Sequence, residues 1–151
     1  MGEAFFYHMT RTPLEVTLPA LLGKALERGW RVAVRGVDEG RLDWLDGKLW
    51  LAGDESFLPH GRAGGPHDSG QPILLTTGTV PGASCLVSVD GAALTPDEVN
   101  GAERAMVLFD GNDEAAVTVA RDLWRSLTGA GCKAQYWSQS DGRWEKKAES
   151  T

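Results

Sequence analysis

The sequence predicts an α/β fold with a largely parallel sheet, in one domain over residues 1–141. Three observations carry this. Compact apolar runs recur along the chain, at Ala4–Met9, Arg31–Arg35, Ile73–Thr76, Cys85–Val89, Met106–Asp110 and Lys133–Trp137. Stretches with helical periodicity separate several of them. The runs are continuous rather than alternating, which suits strands covered on both faces.

The first run is apolar and aromatic and reads as a buried strand. Thr12-Pro13-Leu14-Glu15 then reads as a helix start, with Thr12 as N-cap, Pro13 at the first helical position and Glu15 closing a capping box. Leu14, Leu18, Leu21, Leu22 and Ala25 form its apolar stripe, and Gly29 is its stop. Pro19 interrupts the stripe, so a kink or a later start is expected there. A short helix is predicted from Val37 to Leu45, ended by Gly47. Residues 61–72 form a Gly/Pro/His-rich loop. Asp113–Thr128 is the strongest helix, closed by Gly129 and Gly131. Residues 142–151 are polar and are expected to be a mobile tail.

Charge and cysteine usage exclude several classes. Fifteen Lys and Arg face twenty-one Asp and Glu, a formal net charge of -6. Broad phosphate binding rests on clustered cations, so direct nucleic-acid binding is not expected. No apolar run is long enough to span a bilayer, and the first residues lack the pattern of a signal peptide. A cytoplasmic location is therefore expected. Cys85 and Cys132 make no disulfide framework and read as buried, reduced thiols.

Catalytic motifs are absent. Gly23-Lys24 lies inside a helix, and Gly61-Arg62-Ala63-Gly64-Gly65 is followed by Pro72 rather than a helix start, so neither is a phosphate loop. His8, His60 and His67 have no zinc-site spacing. Ser84-Cys85 lacks the surroundings of a nucleophile elbow. Asp54 and Glu55 read as solvated loop carboxylates. No cofactor or metal is expected.

The helix at Asp113–Thr128 holds the most informative patch. At about 100° per residue, Ala116, Val119, Ala120, Leu123 and Leu127 share one face. Val117, Trp124, Arg121 and Arg125 fall progressively to one side of it. Trp124 then sits at the edge of the core, with Arg121 and Arg125 reaching toward solvent. An aromatic floor rimmed by guanidinium groups suits a peptide ending in an apolar side chain and a free carboxylate. A second aromatic pair, Trp50 and Phe57, flanks a polar turn that ends in Pro59-His60.

These residues carry a resemblance over nearly the whole length. It runs through Phe6-Tyr7, Gly29-Trp30-Arg31-Val32, Leu42-Asp43, Leu49-Trp50 and Glu55-Ser56-Phe57-Leu58-Pro59-His60. It closes with Ala120-Arg121, Trp124-Arg125, Gly131 and Tyr136-Trp137. The chain resembles the chi-subunit family of bacterial DNA polymerase III holoenzyme. That resemblance implies a three-layer α/β/α sandwich with a Rossmann-like sheet and no nucleotide-binding equipment. It implies a non-enzymatic adaptor that binds the acidic C-terminal tail of single-stranded DNA-binding protein. It also implies a link to the clamp loader through the psi subunit. Arg121 and Arg125 would meet the tail's carboxylates; Trp50, Phe57 and Trp124 would shape the pocket for its terminal Phe. Val117 departs from the pattern, because relatives carry a lysine there. Lys133 or Arg62 would be the compensating cation. The competing reading is a small α/β nucleotide-binding protein or enzyme using the 53–67 loop.

Overall fold

A computed structural model describes residues 2–50, 60–62, 72–80, 82–140 and 143–150, apart from the side chains of Trp50, Arg62 and Ser140. The elements run β1 (Glu3–Met9), α1 (Leu14–Glu27), β2 (Val32–Arg35), α2 (Glu39–Trp50), β3 (His60–Arg62) and β4 (Ile73–Thr76). They continue β5 (Cys85–Ser88), α3 (Pro96–Asn100), β6 (Arg104–Asp110), α4 (Glu114–Gly129), β7 (Lys133–Ser140) and β8 (Arg143–Ser150). All strands join one sheet in the order β3-β4-β2-β5-β6-β1-β7-β8. Every pairing is parallel except β7 with β8.

Side-chain alternation along the strands divides the core in two. Tyr7, Met9, Val32, Val34, Met106 and Leu108 pack with Leu14, Leu18 and Leu22 of α1 and Leu42, Leu45 and Leu49 of α2. Ala4, Phe6, Ala33, Val107 and Phe109 pack with Val99 of α3 and Ala120 and Leu127 of α4. The result is the expected sandwich: α1 and α2 on one face, α3 and α4 on the other. Right-handed crossovers explain the division. The chain moves one way along the sheet from β1 to β2 to β3, and the opposite way from β5 to β6 to β7. Helices on oppositely directed crossovers land on opposite faces.

Several local expectations are corrected. α1 begins after Pro13, which takes the N-cap position without a side-chain capping bond. Thr12 is not the cap; its hydroxyl instead meets that of Thr17 at 2.6 Å. Pro19 is accommodated within the helix, and Gly29 ends it with φ 76°, a left-handed conformation that glycine adopts freely. Gly47 does not stop α2. The buried series Leu42, Leu45 and Leu49 carries the helix through it, and that packing outweighs a propensity cost of about 1 kcal/mol. α3 and β3 are additions to the predicted elements. The polar stretch expected as a mobile tail is β8, which extends the sheet beyond β7 and sets Trp144 edge-on to Tyr7 at 5.2 Å between ring centres.

Candidate functional site

Asp113 starts α4 by accepting from the amides of Ala115 at 3.0 Å and Ala116 at 3.4 Å. Its acidic side chain also complements the positive end of the helix dipole. Of the predicted stripe, Ala120 and Leu127 are buried, Ala116 and Leu123 are half-buried, and Val119 is 45% exposed. The buried face is therefore rotated away from Val119 and toward Trp124. The rotation reflects what α4 packs on: β6, and β7 with its aromatic Tyr136.

Trp124 stands edge-on to Phe6, with ring centres 5.3 Å apart, and edge-on to Tyr136 at 6.0 Å. The parallel register sets Phe6 beside Tyr136 and His8 beside Phe109. His8 Nδ1 lies 2.6 Å from the Tyr136 hydroxyl. Gly111 makes room for that imidazole: a Cβ there would fall 1.9 Å from its Cδ2. Edge-to-face contacts of this kind add about 0.5–1.5 kcal/mol each beyond the area they bury. The α4–β7 flank is thus a firm aromatic shelf.

Val117 is half-buried at one end of this shelf, and Arg121 and Arg125 are exposed along its rim. Among the described residues Arg125 pairs only with Asp122, at 3.3 Å, with both side chains about two-thirds or more exposed. Such a pair contributes under about 1 kcal/mol and is readily exchanged. Arg121 has no carboxylate within 4.0 Å among the described residues. Its field reaches Tyr136, whose phenol is raised by burial and pulled back in part by the Arg121 charge.

The structure brings Val117, Arg121, Trp124 and Arg125 together. It does not bring Trp50 to them. Trp50 ends α2, which packs with α1, β3 and β4 on the opposite face of the sheet. Phe57 lies outside the described residues, as do His67 and all of the 53–67 loop but residues 60–62. Neither proposed compensating cation reaches the shelf. Arg62 is on β3, at the far edge of the sheet from β7. Lys133 alternates with buried Ala134, and so belongs to the other face. Phe6, His8 and Tyr136 build the aromatic shelf, and the helical pattern of α4 did not reveal them. Their signal is the two-residue alternation that puts Phe6 and His8 on one face of β1.

His60 is buried with its Nε2 3.1 Å from Asp46 Oδ1, tying β3 to α2. Cys85 and Cys132 are free and buried, and burial pushes the Cys85 thiol up to about 12. A thiol so far from ionisation at neutral pH is a poor nucleophile. Among the described residues no group of three or more His, Cys, Asp and Glu could hold a metal ion. None of their helices is long and apolar enough to cross a membrane. A crevice of about 810 Å³ opens between α1 and α4 at the carboxyl ends of β1, β5 and β6. Open α/β sheets commonly bind ligands at such a point.

The model of one family, described as DNA polymerase III chi subunit, HolC, matches residues 1–135. The chain belongs to that family. A curated relative from Pseudomonas aeruginosa, DNA polymerase III subunit chi, is 37% identical over 62 residues, or 41% of this chain and 42% of the relative. The match thus spans less than half of that relative's length. Family membership agrees with the fold, a mostly parallel α/β sandwich.

Proposed function

We propose that the chain is a non-catalytic accessory subunit of DNA polymerase III that captures the acidic C-terminal tail of single-stranded DNA-binding protein. It passes that connection to the clamp loader through the psi subunit. One observation carries the site assignment. Arg121 is exposed, has no carboxylate partner among the described residues, and stands beside a preformed aromatic shelf. A terminal Phe ring would rest against Trp124 and Tyr136. Its carboxylate would take the two-pronged geometry that Arg121 offers, and preceding aspartates would displace Asp122 from Arg125. This reading leaves Trp50 out of the pocket, since its helix packs with α1, β3 and β4. The net charge of -6 disfavours DNA itself and leaves attraction of an acidic peptide to the local cations.

The test is fluorescence anisotropy of a labelled peptide that copies the acidic tail. We expect micromolar binding. Trp124→Ala should weaken it by about tenfold or more, as loss of a central aromatic anchor does. A peptide without its terminal Phe should lose most of its affinity, and Trp50→Ala should change nothing. Undiminished binding by Trp124→Ala would place the pocket elsewhere. Undiminished binding of the shortened peptide would reduce the interaction to diffuse charge attraction.

A further inference from the structure

The aromatic shelf holds one polar group that the tail pocket leaves unused, the Tyr136 hydroxyl. Its oxygen lies 2.6 Å from His8 Nδ1, and neither side chain makes another hydrogen bond among the described residues. The pair is held firmly. The His8 ring centre is 5.2 Å from that of Phe109 and 5.8 Å from that of Tyr136. Gly111 lies against its other edge, where a Cβ would fall 2.1 Å from Nε2. Burial raises the Tyr136 phenol, so it keeps its proton through the neutral range. Histidine is the side chain that changes charge between about pH 5 and 8. The elements around the imidazole carry Asp110 at the end of β6, Asp113 and Glu114 at the start of α4, and Arg121 further along it. Asp110 accepts from the Asn112 amide at 2.9 Å, and Asp113 caps α4. Beyond β7, Glu145 of β8 pairs with Lys147 at 3.4 Å. None of these carboxylates forms an ion pair with His8.

We infer that His8 is a positioning residue of the tail pocket and makes tail capture pH-sensitive, because its protonated ring frees the Tyr136 hydroxyl to meet the ligand's carboxylate. The inference rests on the tail reading above and deepens it. One hydrogen bond joins the two rings, so only one of them donates. A neutral imidazole whose Nδ1 lacks a proton accepts, and the Tyr136 O–H is spent on it. The cationic imidazole carries a proton on Nδ1 and donates. The phenol oxygen then accepts, and its own O–H is released. The added proton comes from solvent, and the phenol keeps its own. A second neutral tautomer also donates from Nδ1, but only the cation does so always. Tyr136 lies in the field of Arg121. A carboxylate held by that guanidinium therefore gains both the freed donor and the new positive charge. Both effects have the same sign: affinity rises as pH falls. By linkage, the bound tail in turn favours the proton on His8.

The experiment measures anisotropy of the labelled tail peptide with the full chain from about pH 8 to about pH 5.5, a range in which the peptide's own carboxylates stay ionised. Native affinity should rise roughly fivefold across it, the gain of one charged hydrogen bond at an exposed site. His8→Asn keeps a hydrogen-bonding group near the Nδ1 position without a titrating ring, and its binding should be flat. His8→Phe should be flat as well, and either variant carries the test if the other does not fold. Tyr136→Phe keeps the shelf and should lose most of the gain. In the native chain, the imidazole resonances of His8 should titrate at higher pH with peptide bound, by the logarithm of the same factor. Equal native affinity at both ends of the range would overturn this inference and leave the tail reading standing. So would a pH response that persists in both His8 variants, or one undiminished in Tyr136→Phe. A peptide that binds at neither end sinks the tail reading, and this inference with it.

Discussion

Arg35 and Arg121 are two arginines of one protein put to opposite uses. Arg35 ends β2 and is spent inside the molecule. Its guanidinium grips both carboxylate oxygens of Glu98, and also donates to the carbonyls of Gly78 and Ala93 at 2.9 Å each. Its side chain is 13% exposed, and that of Glu98 is 23% exposed. Arg121 stands in solvent on α4, with no carboxylate at hand among the described residues. The difference teaches how to tell a structural cation from a recruiting one. The first has every guanidinium nitrogen bonded to its own chain; the second is held beside an apolar shelf with no carboxylate partner among the described residues. What marks Arg121 is the combination of an absent carboxylate partner among the described residues and an adjoining aromatic shelf.

The largest way to break the comparison is to remove each arginine in turn. Arg35→Ala leaves Glu98 without its partner and should cost about 2 kcal/mol, below the full penalty of a buried pair because water still reaches it. For a chain of this size that lowers Tm by about 4–8 °C. Tail-peptide affinity should be unchanged. Arg121→Ala should leave stability within about 0.5 kcal/mol and weaken the peptide by roughly fivefold, the effect of one exposed charged hydrogen bond. Calorimetry and anisotropy on the two variants decide it. If Arg121→Ala lowers Tm as much as Arg35→Ala does, the contrast between the two sites is false.

A gentler test uses pH. The Arg35 hydrogen bonds hold the Glu98 carboxyl down to about 2, well below its ordinary 4.5. A folded-state value below the unfolded one means that the stabilising contribution is complete above about 4.5 and is lost as pH falls toward 2. Acid unfolding of the native chain should steepen across that window. In Glu98→Gln this part of the slope should disappear. An unchanged slope would mean that the pair does not survive in solution.

How much of this was legible beforehand depended on whether the signal was local. α4 was legible because its cap and its stripe lie within one segment. Trp124 at the edge of the core and Arg121 beyond it followed from helical geometry alone. The motif Thr-Pro-x-Glu shows the limit of such reading. It occurs at Thr12–Glu15 and again at Thr95–Glu98. Only the second forms a capping box: Glu98 N donates to Thr95 Oγ1 at 3.2 Å, and Glu98 Oε1 accepts from Thr95 N at 3.0 Å. At the first, the Thr12 amide is taken by Gln139, a residue 127 positions away. β8 was hidden because an edge strand is held by backbone pairing, and Arg143–Ser150 buries little beyond part of Trp144. The separation of Trp50 from Trp124 was hidden for a topological reason. α2 and α4 cover opposite faces of the sheet, and the strand order that puts them there is not written in any one segment.

The smallest predicted effect is the sharpest probe of Arg121's surroundings. Val117 precedes Arg121 by one helical turn and rests half-buried against the Phe6–Trp124 cluster. Val117→Lys would add a cation to the rim, worth about 0.2–1 kcal/mol at an exposed site. Against this stands repulsion from Arg121 at i+4, a few tenths of a kcal/mol. The lysine stem would keep part of the valine's apolar cover, and its head would reach water. The balance predicts tail binding about twofold tighter at low salt, with the gain vanishing near 1 M salt, where the screening length falls to about 3 Å. A loss of affinity at low salt would show that the valine itself floors the pocket, and that the rim gains nothing from more charge. The gain must also disappear in the Arg121→Ala background only in part, because two cations that each meet a different carboxylate of the tail act nearly independently.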